Sequence, residues 1–224
     1  MSSTLIDSAL NAVTALASRL DFAALVSQHG RMLQVETALP ALALVPERMV
    51  MKDAISRPFE LTLDCLSTSA HFELKLLIGE QISVRLLQPA GIGLASVGLG
   101  APSYKPWHGY VFSAAQLGAD GGLARYRLHM SSWLAFLAQR RDSFVYQDRT
   151  ALEIVEEVFK DHPQAAWRVE VSQALRRRSL CIQYQETDLD FVLRLLREEG
   201  LFAWFEHEGR PDDEALGAHT LVIA

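Results

Sequence analysis

Seven histidines, two cysteines and several adjacent carboxylates are the residues of this 224-residue chain whose types could do chemistry. A protein zinc site takes nitrogen, sulfur or oxygen ligands at short fixed spacings, typically two histidines four apart on a helix or a Cys-x-x-Cys pair. His29, His71, His108, His129, His162, His207 and His219 offer neither pattern. Cys65 and Cys181 lie 116 positions apart within apolar strand patterns and read as buried free thiols rather than a disulfide. His207 stands between Glu206 and Glu208, a triplet that could suggest acid–base work. Neighbouring strand residues point to opposite faces, however, so the expectation is a surface histidine. His108 beside Gly109 is expected at a turn or strand edge, with the glycine allowing another backbone to approach closely.

The paired carboxylates Glu156-Glu157, Glu198-Glu199 and Asp212-Asp213 are sequence neighbours, not groups converging across a cleft as glycoside hydrolysis requires. No serine sits in a Gly-x-Ser-x-Gly turn. The glycine-rich run between Pro89 and Pro106 invites a nucleotide reading, but Gly100 is followed by Ala101 and Pro102 where a phosphate loop needs lysine and a hydroxyl. A long loop is expected there. The aromatic group Phe191, Phe202, Trp204 and Phe205 is expected in the core. No catalytic, cofactor or metal residue is therefore assigned.

Charge narrows the partners. A formal net charge of -6 and a pI near 5.6 give no basic field for a phosphate backbone, so nucleic acid is not expected as a partner. The basic cluster Arg176-Arg177-Arg178 reads as a solvated loop. The segment 1–29 is too interrupted by Asp7, Asn11, Arg19 and Asp21 for a signal peptide or membrane span. Leu5, Ala9, Val13, Leu16 and Leu20 instead predict an amphipathic helix.

The elements that would position these residues are mostly strands. Ala124, Tyr126, Leu128 and Met130 alternate with polar partners, and so do Phe59, Leu61, Leu63 and Cys65, and Ile82, Val84 and Leu86. Tyr110–Leu117 with the turn 118–122 predicts a hairpin. His71–Ile78 predicts a short helix closed by Gly79. Thr150 followed by Glu153 is a capping box opening a helix, and Thr187 caps a second helix whose buried stripe is expected at Leu189, Val192, Leu193 and Leu196, with Gly200 ending it. Strands are predicted at Trp167–Val171, Leu180–Tyr184, Leu201–Phe205 and His219–Ile223. The fold class that follows is mainly β, an antiparallel barrel-like domain carrying an α+β insertion. Its expected division is 1–29 as a helical leader, 30–146 with 201–224 as the barrel-like domain, cut short at its end, and 147–200 as the insertion.

Four long segments, RPFELTLDCLS (57–67), WHGYVFSAAQLG (107–118), the run 124–159 and IQYQETDLDFVLRLLREEGLFAWFEHE (182–208), resemble in order and spacing the amino-terminal, phage baseplate-hub-like part of the VgrG family of type VI secretion spikes. The resemblance covers about residue 30 to the end. It implies a non-enzymatic homotrimer that sits on the Hcp tube among the baseplate components, and a following needle with a PAAR-repeat tip and effectors. It also implies cytoplasmic synthesis and assembly, then secretion through the apparatus, without stable membrane insertion of residues 1–224. The loop 91–104 is long and glycine-rich for the family, and 211–218 is acidic. Exposed sheet edges would be satisfied by neighbouring subunits or further chain. Two other classes remain open: an adaptor that binds a peptide at a sheet edge, and a spike-borne cell-wall hydrolase, which predicts lytic activity lost on one carboxylate substitution.

Overall fold

The computed structural model describes residues 31–40, 43–88, 103–208 and 218–224. The leader 1–29, most of the 89–106 loop and Asp212-Asp213 lie outside the described residues.

The predicted alternation produces a six-stranded antiparallel sheet. Its strands are β1 (Leu33–Glu36), β2 (Val45–Lys52), β3 (Glu60–Ser67), β4 (Gln81–Leu87), β5 (Tyr104–Asp120) and β6 (Leu123–Ser131), in the order β1-β4-β5-β6-β3-β2. The sheet curls into a half-barrel, bringing its edge strands β1 and β2 near each other. Phe59, Leu61, Leu63, Cys65, Ile82, Val84, Tyr126, Leu128 and Met130 fill the inside. Each such side chain contributes about 1.5–3 kcal/mol by leaving water. The β5–β6 hairpin turns at Gly121 and Gly122, whose φ values of 58° and 80° suit a two-residue turn, so the strands run longer than predicted and Gly118 belongs to β5. The predicted helix 71–78 is only a 3-10 turn over Leu74–Leu76. Upstream, Ser67 Oγ accepts from the Ser69 N–H and Ser69 Oγ from the His71 N–H, local bonds that compete with helix formation.

A second core follows. It gathers Trp133, Leu134 and Leu137 from a 3-10 segment with β7 (Arg141–Arg149), α1 (Ala151–Lys160), β8 (Trp167–Val169), β9 (Arg178–Thr187), α2 (Asp188–Glu198), β10 (Ala203–Glu208) and β11 (Ala218–Ile223). The capping box is formed: Thr150 Oγ1 accepts from the Glu153 N–H at 3.2 Å, and Glu153 accepts from the Thr150 N–H at 2.8 Å. Such caps are worth about 1 kcal/mol. Thr187 caps α2 in the same sense, and Gly200 ends it at φ 72°. The buried stripe of α2 is Phe191, Val192, Leu195 and Leu196, rotated from the expected one because that face meets α1 and the 3-10 segment. Leu189 and Leu193 are half-buried and face a cleft instead.

β7 and β9 pair as an antiparallel ribbon. β10 and β11 pair with each other, and β11 runs parallel to β8, so residues 218–223 are hydrogen-bonded to the 167–169 strand, 203–208 join the same sheet through β11, and both pack in the second core. Phe205 packs against both cores.

Candidate functional site

The histidines are spread through the structure by what each strand and helix needs. Alternation along β10 puts Ala203, Phe205 and His207 on one face, and β11 brings His219 opposite His207. That face lies against Phe59 and the middle of β5, so His207 points inward rather than to the surface. Its ring is 6.0 Å from that of His108 and 5.9 Å from that of His219. His108, the fifth residue of β5, is fully covered: it pairs with Ser83 of β4, while the β6 ladder begins only at Tyr110. Gly109 beside it allows the close approach expected, since a Cβ there would collide with the Ser131 carbonyl oxygen and stand 3.1 Å from Phe59 Cζ.

These imidazoles bind backbone. His207 Nδ1 accepts from the His108 N–H at 3.1 Å, and His219 Nε2 accepts from the Trp133 N–H at 3.0 Å. Burial pulls the pKa of His108 and His207 down to about 4 and that of His219 to about 3, reinforced by Arg85 at His108 and by the other histidines at His207 and His219. Both ring nitrogens of His108 are buried without a hydrogen-bond partner; the Glu208 backbone comes near but not at bonding geometry. Among the described residues no group of three or more His, Cys, Asp or Glu is placed to hold a metal ion.

The remaining polar groups serve the scaffold. Asp188, wholly buried at the start of α2, accepts from Arg140 Nε at 2.5 Å and from Gln183 Nε2 at 2.8 Å, and lies 3.2 Å from His162 Nε2. Arg140 also reaches Asp161 at 2.8 Å. Burial, with Asp188 nearby, pushes the Tyr146 phenol up to about 12. Arg176 and Arg177 are exposed in the loop before β9, as expected, Arg177 pairing with Glu153 at 3.0 Å, whereas Arg178 begins β9 and is held by Glu198 and Glu199. Cys65 and Cys181 are free and buried, and burial drives the Cys65 thiol to about 12, away from thiolate chemistry. Of the aromatic group, Phe191 is core, whereas Phe202 is half-exposed and stacks on Trp204 at 5.9 Å.

One cleft, of about 810 Å³, opens between the half-barrel and α2 and is lined by Lys52, Arg57, His129, Met130, Leu193 and Arg197 among others. Its histidine is 3.1 Å from Thr62 Oγ1, and its Glu60 is 3.6 Å from Lys52 Nζ. The Thr62 hydroxyl and His129 stand at nucleophile–base distance, but no carboxylate among the described residues is bonded to the ring to orient it as a base. No helix among the described residues is long and apolar enough to cross a membrane.

A curled antiparallel half-barrel joined to a small mixed unit is the mainly β fold of phage-tail hub proteins. The chain belongs to the phage tail baseplate hub (GPD) family, whose model matches residues 52–224. It is similar to the type VI secretion system spike protein VgrG1c of Pseudomonas aeruginosa, 30% identical over 202 residues that cover 88% of this chain and 26% of that protein. VgrG4b of the same organism is 34% identical over 173 residues, covering 76% of this chain and 19% of that one. The chain thus spans about a quarter of the length of the curated relatives it matches. Among solved structures, the E. coli c3393 protein, described as a type VI secretion component with structural similarity to bacteriophage T4 gp27 and gp5, superposes with a TM-score of 0.63 at 19% identity, covering 85% of this chain and 48% of that one. At that identity the likeness concerns the fold.

Proposed function

We propose that this chain is the hub portion of a type VI secretion spike. Three copies form a base that sits on the Hcp tube within the baseplate, and chain beyond residue 224 supplies a needle bearing a PAAR-repeat tip and effectors. The protein is made and assembled in the cytoplasm and leaves through the apparatus. The observation that carries this reading is the hub-family match across 52–224 on a two-core scaffold whose histidines and buried acids are spent on structure. A scaffold that transmits force needs rigid sheets and wide surfaces, not a nucleophile. The test is deletion of the codons for this chain in its own cell: Hcp should vanish from the medium and return on complementation, whereas undiminished Hcp release contradicts the assignment.

The domain boundary is part of the proposal. Pairing of β11 with β8, and of β10 with β11, favours a seam near Ser132, with 31–131 as one unit and 133–224 as the other, over the division that joins 201–224 to the barrel. Separate folding of the fragments 31–131 and 133–224 would support it; a fragment 147–200 that folds alone, with 31–131 unable to, would favour the other division.

An adaptor reading draws on one observation. Val145, Leu180, Ile182 and Tyr184 on the β7–β9 ribbon are exposed apolar side chains of the kind that mark binding surfaces. A monomer without affinity for Hcp would favour it.

A further inference from the structure

We propose that the half-barrel and the second unit are joined by an acid-sensitive catch: the unprotonated Nδ1 of His207 holds the His108 N–H across the junction, the unprotonated Nε2 of His219 holds the Trp133 N–H where the chain enters the second unit, and protonating those nitrogens opens the junction while both cores stay folded. This does not depend on the hub assignment.

The geometry sets the protonation state. A backbone N–H can only donate, so the ring nitrogen it meets must carry a lone pair. The His108 N–H belongs to β5 and its acceptor to β10; the Trp133 N–H begins the 3-10 segment just after β6 and its acceptor sits on β11. A proton on either nitrogen sets donor against donor. It would also place a cation in a stack where His108, His207 and His219 lie about 6 Å apart under the Phe59 ring.

Among the described residues, the surroundings supply no compensating anion. From β4, Arg85 acts on His108, and Ser83 is its register partner. From β5, Lys105 acts on His207, and the Tyr110 ring lies 5.8 Å from that of His219. On β10 itself, Glu206 points to the other face and pairs with Arg168, and Glu208 approaches His108 only through its backbone. Phe205, 5.4 Å from the His219 ring, and Trp133 complete the wall with apolar surface.

Burial therefore holds these histidines below their ordinary pKa, and the sign follows from linkage. The closed junction binds fewer protons than the open one, so its stability is full above about pH 6.5 and declines as pH falls toward 4 and 3. The Ser56–Ala203 bonds and Phe205 on Phe59, which also hold the junction, contain no titrating group.

Hydrogen exchange on the 224-residue chain at about pH 7 and about pH 4.5, corrected for intrinsic rates, tests the proposal. The amides of His108, Trp133 and Ala203 should lose protection by roughly tenfold or more, while β3, β6, α1 and α2 keep theirs. Loss of protection everywhere at one pH, or no loss at the junction, overturns it. The pair His207→Asn and His219→Gln retains an acceptor near each nitrogen without the titration, and should lower the opening midpoint by about one pH unit or more; an unchanged midpoint overturns the proposal. Should that variant not fold, NMR titration of the native rings decides: His207 and His219 neutral at about pH 5.5 supports the catch, and rings already protonated there refute it.

Discussion

Ser56 and Ala203 hold each other across the junction. The Ser56 N–H donates to the Ala203 carbonyl at 2.7 Å, and the Ala203 N–H donates to Ser56 Oγ at 3.1 Å. Ser56 does so from a left-handed conformation at φ 56°, a region costly for side chains larger than glycine. The turn between β2 and β3 is thereby bolted to the first residue of β10.

Substitution at Ser56 should separate strain from bonding. Ser56→Val puts a β-branched residue at positive φ and removes the acceptor, so about 2 kcal/mol or more should be lost in urea unfolding. Ser56→Gly relieves the strain while losing the same bond and should come out within about 1 kcal/mol of native.

Gly109 and Gly118 make a matched pair on one strand. Gly109→Ala drives a methyl into the Ser131 carbonyl against Phe59 and Met130, and should cost about 2–3 kcal/mol. Gly118→Ala meets open space at an ordinary φ and should change thermal stability little or raise it slightly. Equal effects of the two would contradict the described packing.

Asp188 holds α2 to the rest of the second core. Asp188→Asn keeps the shape but removes the charge that Arg140 faces, and should destabilise by about 3 kcal/mol. Far less loss in denaturant unfolding would mean that water, not Asp188, serves Arg140.

Asp64 lies across from Arg127 in the β3–β6 ladder and is bonded through both oxygens, at 2.6 and 2.9 Å. The Arg127 guanidinium holds its carboxyl below the usual range against the opposing effect of burial. A carboxylate depressed in the folded state contributes stability above its unfolded pKa and loses it as pH falls through the folded value. The stability gap between native protein and Asp64→Asn should therefore be widest near neutrality, narrow below about pH 4 and close in stronger acid. A gap independent of pH would contradict the pairing.

Much of this architecture was legible in the chain. Period-two runs through 59–65, 82–86 and 124–130 located strands, and Thr150 with Glu153 located a helix start, because those signals are local. The parallel pairing of β11 with Trp167–Val169 is not legible, since it joins segments distant in the chain. Its two glutamate neighbours make His207 read as a surface residue, yet it faces inward. Reading every second residue, Ala203, Phe205, His207 and then His219, Leu221, Ile223, places both histidines on an inward face. The clustering of His108 with them spans 99 residues of sequence and needed the fold.

The most direct test of the hub account is the mass in solution of the full-length protein that contains this chain, measured by light scattering at several concentrations. The account predicts three chains per particle. A particle of one chain at every concentration would contradict it.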